Sequence, residues 1–210
     1  LKDFDVDLSG FKGAIKSIGA HCRDDVLVLV ETTVPPGTCE NIVKPIIEDQ
    51  LTQRGLTTAK YRLGHSYERV MPGDKYYDSI VNNLRVFSGI NKKSKIKVKN
   101  FFSSIINTKK FPLTELDTIT ECEAAKILEN SFRAINIAFI DEWTKYSLNM
   151  NLNLFNIIDS IKKRKTHNNL MYPGLGVGGY CLTKDPSFVK KSNQLFLKND
   201  IKFPITDIAT

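Results

Sequence analysis

Asp24-Asp25-Val26-Leu27-Val28-Leu29-Val30-Glu31-Thr32-Thr33-Val34-Pro35-Pro36-Gly37-Thr38 is the stretch whose reading decides the fold. Five consecutive Val and Leu residues with no polar alternation mark a strand buried on both faces, as in a parallel sheet. Pro35 and Pro36 stop the ladder, and Thr38 is expected to cap the helix that follows. Ligands of open α/β sheets lie off the carboxyl ends of strands, so the Thr33 hydroxyl is a candidate binding group. A polar turn residue is the competing reading of Thr33.

Working outward, residues 11–22 have a loose helical pattern, and Cys39 to Leu51 is helical with Ile42, Val43, Ile46 and Ile47 on one face. Residues 59–66 read as a second strand that leads into Ser66-Tyr67-Glu68-Arg69-Val70-Met71-Pro72-Gly73-Asp74. Glu68 again lies just past a strand end, where a carboxylate is either part of a site or simply solvated. Leu84 to Ile90 reads as a third strand, Ser94 to Ile106 as a basic amphipathic helix and Phe111 to Leu116 as a short fourth strand. This order argues for an α/β layer, not a bundle.

Past Leu116 the period changes from strand to helix. Thr120 with Glu123 has capping-box spacing, so a long helix is expected to start there and run to about Met150. Its stripe is Ala124, Leu128, Phe132, Ile135, Phe139, Trp143 and Tyr146. Such a helix spans on the order of 40 Å, more than one small core covers, which predicts packing against a partner subunit. Lys126 and Asn130 stand one above the other on another face, with Ile137 two turns on; they form either a polar notch or a solvated pair. A second helix, Leu154 to Lys163, carries a Phe155, Ile158 and Ile161 stripe.

Gly174-Leu175-Gly176-Val177-Gly178-Gly179-Tyr180-Cys181-Leu182-Thr183-Lys184-Asp185-Pro186 follows loop material. A dinucleotide-binding glycine turn follows a strand and opens a helix, so that label does not fit here. A thiol at the end of a glycine loop with an acid four residues on suits a nucleophile. A tight turn around a buried, inert cysteine is the alternative. Asp185 is a candidate N-cap for a last helix, Ser187 to Leu197.

The 210 residues, 41% hydrophobic and 25% charged, are ordinary globular material sufficient for one domain or two small ones. No apolar run reaches bilayer length, and the opening Leu1-Lys2-Asp3-Phe4-Asp5 is no signal peptide. A chain cut from something longer is expected, ending in mid-fold near Phe203-Pro204-Ile205-Thr206. Cys22, Cys39, Cys122 and Cys181 are scattered with no metal-ligand spacing, which predicts reduced thiols, a cytoplasmic setting and no metal. The net charge of +7 is densest at Lys92 to Lys99 and Lys162 to Lys165, where no aromatics interleave, so solvated helix faces are expected and not a nucleic-acid surface.

Four of these segments, in this order, resemble the UDP-glucose/GDP-mannose dehydrogenase family. They are Thr32-Thr33-Val34-Pro35-Pro36-Gly37-Thr38, the Ser66 to Gly73 segment, Glu123-Ala124-Ala125-Lys126 with Asn130, and Gly176 to Pro186. The Glu68-Arg69 and Tyr180 to Pro186 segments look more like the branch acting on UDP-N-acetylhexosamines. The resemblance implies the C-terminal half of a Rossmann-like NAD domain over residues 1–117 and an all-α central dimerisation domain over 118–210. It also places the family's first βαβ unit before Leu1 and its C-terminal domain after Thr210. The implied activity is NAD-dependent oxidation of a nucleotide sugar's C6 alcohol to the acid in two hydride transfers. Cys181 then matches the nucleophile, Lys126 and Asn130 the oxyanion pair, Asp185 and Thr33 groups ordering water near the nicotinamide, and Glu68 a general base. Thr33 and Lys184 fall at the cofactor. Glu68, Arg69, Lys126, Asn130, Tyr172, Leu175, Gly176, Gly178 and Gly179 fall at the sugar. The partners implied are a UDP-sugar and a second copy through helix 121–150, with no nucleic acid and no membrane. A truncated, non-catalytic dimerisation or binding module is the alternative.

Overall fold

The computed structural model describes residues 6–71, 73–197 and 201–209; Pro72 and the opening Leu1 to Asp5, both quoted above, lie outside them. The chain divides into two compact units, Leu1–Lys126 with Lys191–Asn199 and Ile127–Lys190 with Asp200–Thr210.

In the first unit the Val-rich run forms β1 (Leu27–Val30), parallel to β2 (Arg62–Tyr67) with Leu27 opposite Arg62 and Val30 opposite His65. β3 (Val86–Gly89) runs antiparallel to β2, and the two-residue β4 (Thr114–Glu115) is parallel to β3, giving the sheet order β1-β2-β3-β4. The β1-to-β2 crossover carries α2 (Lys44–Gln53), which packs beside α1 (Ser9–His21). Ile15, Val28, Val30, Val43, Ile47, Leu51 and Leu63 form the resulting core. α4 (Lys92–Ser103) buries Val98 and Phe102 against Phe87, while Lys92, Lys93, Lys97 and Lys99 lie on the wet side and Lys95 pairs with Glu115 at 3.6 Å. A short α3 (Tyr76–Val81), which the sequence reading does not anticipate, precedes β3.

The expected role of Thr38 does not hold. Its backbone is already helical, and its hydroxyl donates back to the Pro35 carbonyl at 2.6 Å, tightening the proline turn instead of capping. A wide turn, Cys39–Val43, precedes α2.

α5 runs Ile119–Asn149, 31 residues, and the boundary between the units falls within it. Its capping box sits two residues earlier than expected. Glu121 N–H donates to Thr118 Oγ1 at 3.1 Å, and Glu121 Oε2 accepts the N–H of Thr118 at 3.1 Å and of Asp117 at 3.0 Å. In the second unit Ile140 of α5 packs with Leu154 and Ile158 of α6 (Leu154–Lys162), covered by Leu170 and Met171. Phe155 does not join that core; it stacks on Tyr172 at 6.0 Å instead. α7 (Ser187–Ser192) and α8 (Pro204–Ala209) follow. Among the described residues no helix is long and apolar enough to cross a membrane, and no group of three or more His, Cys, Asp or Glu is placed to hold a metal.

Candidate active site

α5 inverts the usual economy of an amphipathic helix. Five members of its apolar stripe are open to solvent, from 42% exposure at Trp143 to 72% at Leu128, with Phe132, Phe139 and Tyr146 in between, while Ala124 and Ile135 are half-buried. Its buried positions carry Glu123, Lys126 and Asn130 among Ile119, Cys122, Ile127 and Ala134. Buried polar groups are tolerated when they are hydrogen-bonded, and each of these three is.

In the first unit Lys126 donates from Nζ to the Glu68 carbonyl at 3.2 Å and lies 5.6 Å from the centre of the Tyr67 ring. The Glu68 carboxylate turns to its own loop, accepting the Val70 N–H at 2.6 Å. Arg69 lies over the other contact of that ring, its Cζ 5.1 Å from the centroid and Nη2 donating to the tyrosine oxygen at 3.1 Å. Thr33 is half-buried just beyond the carboxyl end of β1, the location inferred from the sequence.

Glu123 is the residue that sequence reasoning misplaced. Its carboxylate, 1% exposed, accepts the Gly37 N–H at 2.6 Å and the Cys39 N–H at 2.8 Å, tying the proline turn after Thr33 to α5 one turn ahead of Lys126. Gly37 has φ +94°, and a Cβ there would stand 2.9 Å from the Phe196 ring, so the turn admits only glycine without rearrangement. Burial pushes the Glu123 carboxyl up to about 7, against the lowering effect of hydrogen bonds from Cys39 and Gly37. A carboxylate in the buried row Ile119-Glu123-Ile127 is the signal that could have revealed it, since such a group needs a donor.

In the second unit Asn130 donates Nδ2–H to Asp185 Oδ2 at 2.6 Å, and both residues are buried. Asp185 therefore serves Asn130 with its side chain, where the sequence suggested an N-cap. The carbonyl of Cys181 accepts the N–H groups of Lys184 at 3.2 Å and Asp185 at 2.8 Å. This turn buries Asp185 while Cys181 stays exposed. Lys184 Nζ lies 2.8 Å from Asp185 Oδ1, a charge contact not aligned as a hydrogen bond, and 4.4 and 5.1 Å from the Phe188 and Tyr180 ring centres. Gly176 and Gly179 both have φ +80°, which bends the loop ahead of the thiol, and Leu175 is fully exposed. Gly174 and Gly178 have open space where a Cβ would go. Tyr172 is held at its hydroxyl, which donates to Asp159 Oδ1 at 2.6 Å, and at its face, with Lys162 Nζ at 4.2 Å.

The four thiols are free and differ sharply. Burial pushes Cys122 up to about 12 and Cys39 well above the ordinary range, the neighbouring Glu123 adding to both. Cys181 is the exposed one of the four. Thiolate chemistry requires access as well as ionisation, so Cys39 and Cys122 are poor nucleophiles.

Residues 1–106 match the NAD binding domain of the UDP-glucose/GDP-mannose dehydrogenase family, and residues 120–205 match its central domain. The chain is 32% identical over 188 residues to the UDP-N-acetyl-D-mannosamine dehydrogenase of Methanocaldococcus jannaschii, covering 90% of this chain and 40% of that protein. It is 29% identical over 195 residues to the Escherichia coli K12 protein of the same name, covering 91% and 45%. Among solved structures it superposes with TM-score 0.80 on the NDP-N-acetyl-D-galactosaminuronic acid dehydrogenase of Methanosarcina mazei Go1, at 28% identity over 99% of this chain and 44% of that one. The UDP-D-ManNAc dehydrogenase of Pyrococcus horikoshii gives the same TM-score and identity, over 98% and 46%. The chain spans less than half the length of these relatives.

Proposed function

Because this chain belongs to the UDP-glucose/GDP-mannose dehydrogenase family, we propose that it carries the reacting residues of an NAD-dependent 6-dehydrogenase that oxidises a UDP-N-acetylhexosamine to its uronic acid. The observation that carries this reading is the exposed Cys181 thiol, on a turn whose backbone bonds join Cys181 to Asp185 of the buried Asn130–Asp185 pair.

Thr32 and Thr33 offer hydroxyls just past the carboxyl end of β1, where open α/β sheets hold nucleotides, and this donor set fits a nicotinamide nucleotide. NAD, when bound, would accept a hydride from the sugar carbon in each of two oxidations, the hydroxyl proton of the first passing to water. Between them the Cys181 thiolate adds to the aldehyde carbon, and the former carbonyl oxygen takes a proton to give a thiohemiacetal. Loss of the second hydride and of that proton leaves a thioester. Water then attacks the acyl carbon, the C–S bond breaks, and the acid and the thiol are released. Lys126 and Asn130 stabilise negative charge on the reacting oxygen, with Asp185 holding Asn130 in place. Glu68 takes the proton from the attacking water, which requires it to leave the Val70 N–H. Thr33 and Lys184 bind at the cofactor, while Arg69, Tyr172, Leu175, Gly176, Gly178 and Gly179 line the sugar site.

The functional division is placed at residues 117 and 118, the NAD portion before it and the central domain after. The open row Leu128, Phe132, Phe139, Trp143 and Tyr146 supports association with a second copy of the chain through α5. The free cysteines suit a reducing cytoplasm. The test is NADH release by the full-length protein against UDP-N-acetylmannosamine, UDP-N-acetylglucosamine, UDP-glucose and GDP-mannose. The reading predicts two NADH per sugar with a UDP-N-acetylhexosamine; no NADH with any of the four rejects it.

A further inference from the structure

We propose that Tyr67 is a positioning residue for Lys126, its ring serving as an uncharged platform that holds the ammonium in place without cancelling its charge. This rests on the reading of Lys126 as the donor that stabilises the reacting oxygen. Tyr67 closes β2 and is almost fully buried, so its ring is fixed by the sheet and not by solvent. Arg85 Nη1 donates to its carbonyl at 3.3 Å, and Arg69 bonds its phenolic oxygen, which pins both ends of the residue. Lys126 meets this ring at 5.6 Å and the neutral Glu68 carbonyl at 3.2 Å.

An ammonium held by a carboxylate would have its field largely neutralised before any substrate oxygen develops charge. A ring face and a carbonyl attract the cation through a quadrupole and a dipole, leaving its net charge for the reaction. The Glu68 carboxylate is directed to the Val70 N–H, which is consistent with this division of labour.

The experiment is a double-mutant cycle in the full-length protein, with kcat and KM measured separately. Tyr67→Leu, which keeps apolar volume but removes the ring, is expected to lower kcat about tenfold with KM within about twofold. Tyr67→Phe, which keeps the ring, restores kcat to near the parent value. Lys126→Met lowers kcat on the order of a hundredfold, and adding Tyr67→Leu to it costs nothing further. Equal losses from Tyr67→Leu in both backgrounds would overturn the proposal, as would no loss in either. An unchanged kcat in Lys126→Met alone would reject the oxyanion role itself, and this inference with it. A readout independent of turnover is the acetylation rate of Lys126, followed by mass spectrometry in folded protein. It is expected to rise several-fold in Tyr67→Leu and not in Tyr67→Phe; equal rates in all three proteins contradict the platform.

Discussion

The side-chain amide of Asn130 donates to the Asp185 carboxylate at 2.6 Å, a bond across 55 residues between two buried groups. Hydrogen bonds to charged groups are worth about 1.5–3 kcal/mol, and a buried partner left alone carries a desolvation penalty besides. Asn130→Ala and Asp185→Ala should each lower the unfolding free energy by about 2 kcal/mol, and the double variant should lose far less than their sum. Denaturant titration of the four proteins checks this, and strict additivity would mean that the bond has no energetic weight.

Glu123 and His65 make opposite contributions to stability as pH changes. Burial lowers His65 from 6.5 to about 4, only a poorly aligned approach to the Thr32 backbone offsetting it, and raises Glu123 from 4.5 to about 7. Between pH 4.5 and 7 the folded state holds a proton on Glu123 that the unfolded state has released, so this group's contribution falls as pH rises. Between pH 4 and 6.5 the unfolded state protonates His65 while the folded state does not, so that contribution rises with pH. The two nearly cancel between pH 4.5 and 6.5. Glu123→Gln should uncover the histidine slope, so that the variant's stability relative to the parent climbs by on the order of 3 kcal/mol from pH 4.5 to 7. Parallel curves for the two proteins would refute the assignment.

The parallel strand pair and the long helix were legible because both rest on local pattern, an unbroken Val/Leu run and a sustained three-to-four residue period. The helix start was not. Thr118-Ile119-Thr120-Glu121-Cys122-Glu123 contains two overlapping Thr-x-x-Glu spacings, and either satisfies the local rule. The choice is made by Gly37 and Cys39, 86 and 84 residues away, whose N–H groups claim Glu123 and leave Glu121 for the cap. Asp185 went astray for the same reason, since its position before Ser187 suits an N-cap but Asn130 claims its carboxylate. Which acid serves which donor is a tertiary fact, and spacing alone does not contain it.

The exposed aromatic row of α5 predicts self-association. Phe139 packs on Trp143 at 6.3 Å and Trp143 edge-on to Tyr146 at 5.6 Å, presenting a continuous apolar ridge. If α5 forms the proposed interface, Phe139→Glu with Trp143→Glu should give monomer or insoluble protein where the parent protein self-associates. Sedimentation velocity decides, and an unchanged oligomeric state, or a monomeric parent, would remove this reading of α5.

The Gly174 to Gly179 loop is not expected to hold the pyrophosphate of NAD. This GxGxxG stretch opens no helix, so it cannot cradle a pyrophosphate on helix N–H groups. Gly174→Ala, at a position with open space for a Cβ, should leave the NAD affinity read by calorimetry unchanged. A marked loss of affinity would put this loop back at the cofactor site.

The central claim is that the exposed thiol of Cys181 carries the sugar between two oxidations. The direct measurement is acid formation by the full-length Cys181→Ala protein from a UDP-N-acetylhexosamine, with nucleotide-sugar affinity measured alongside and the thiols of the parent labelled at neutral pH. The account predicts that acid formation is abolished while affinity stays within a few-fold, because the thiol acts on the aldehyde and not on the bound alcohol. It also predicts that Cys181 labels well ahead of the buried Cys39 and Cys122. Undiminished acid production by Cys181→Ala would contradict it and leave the glycine loop a structural turn.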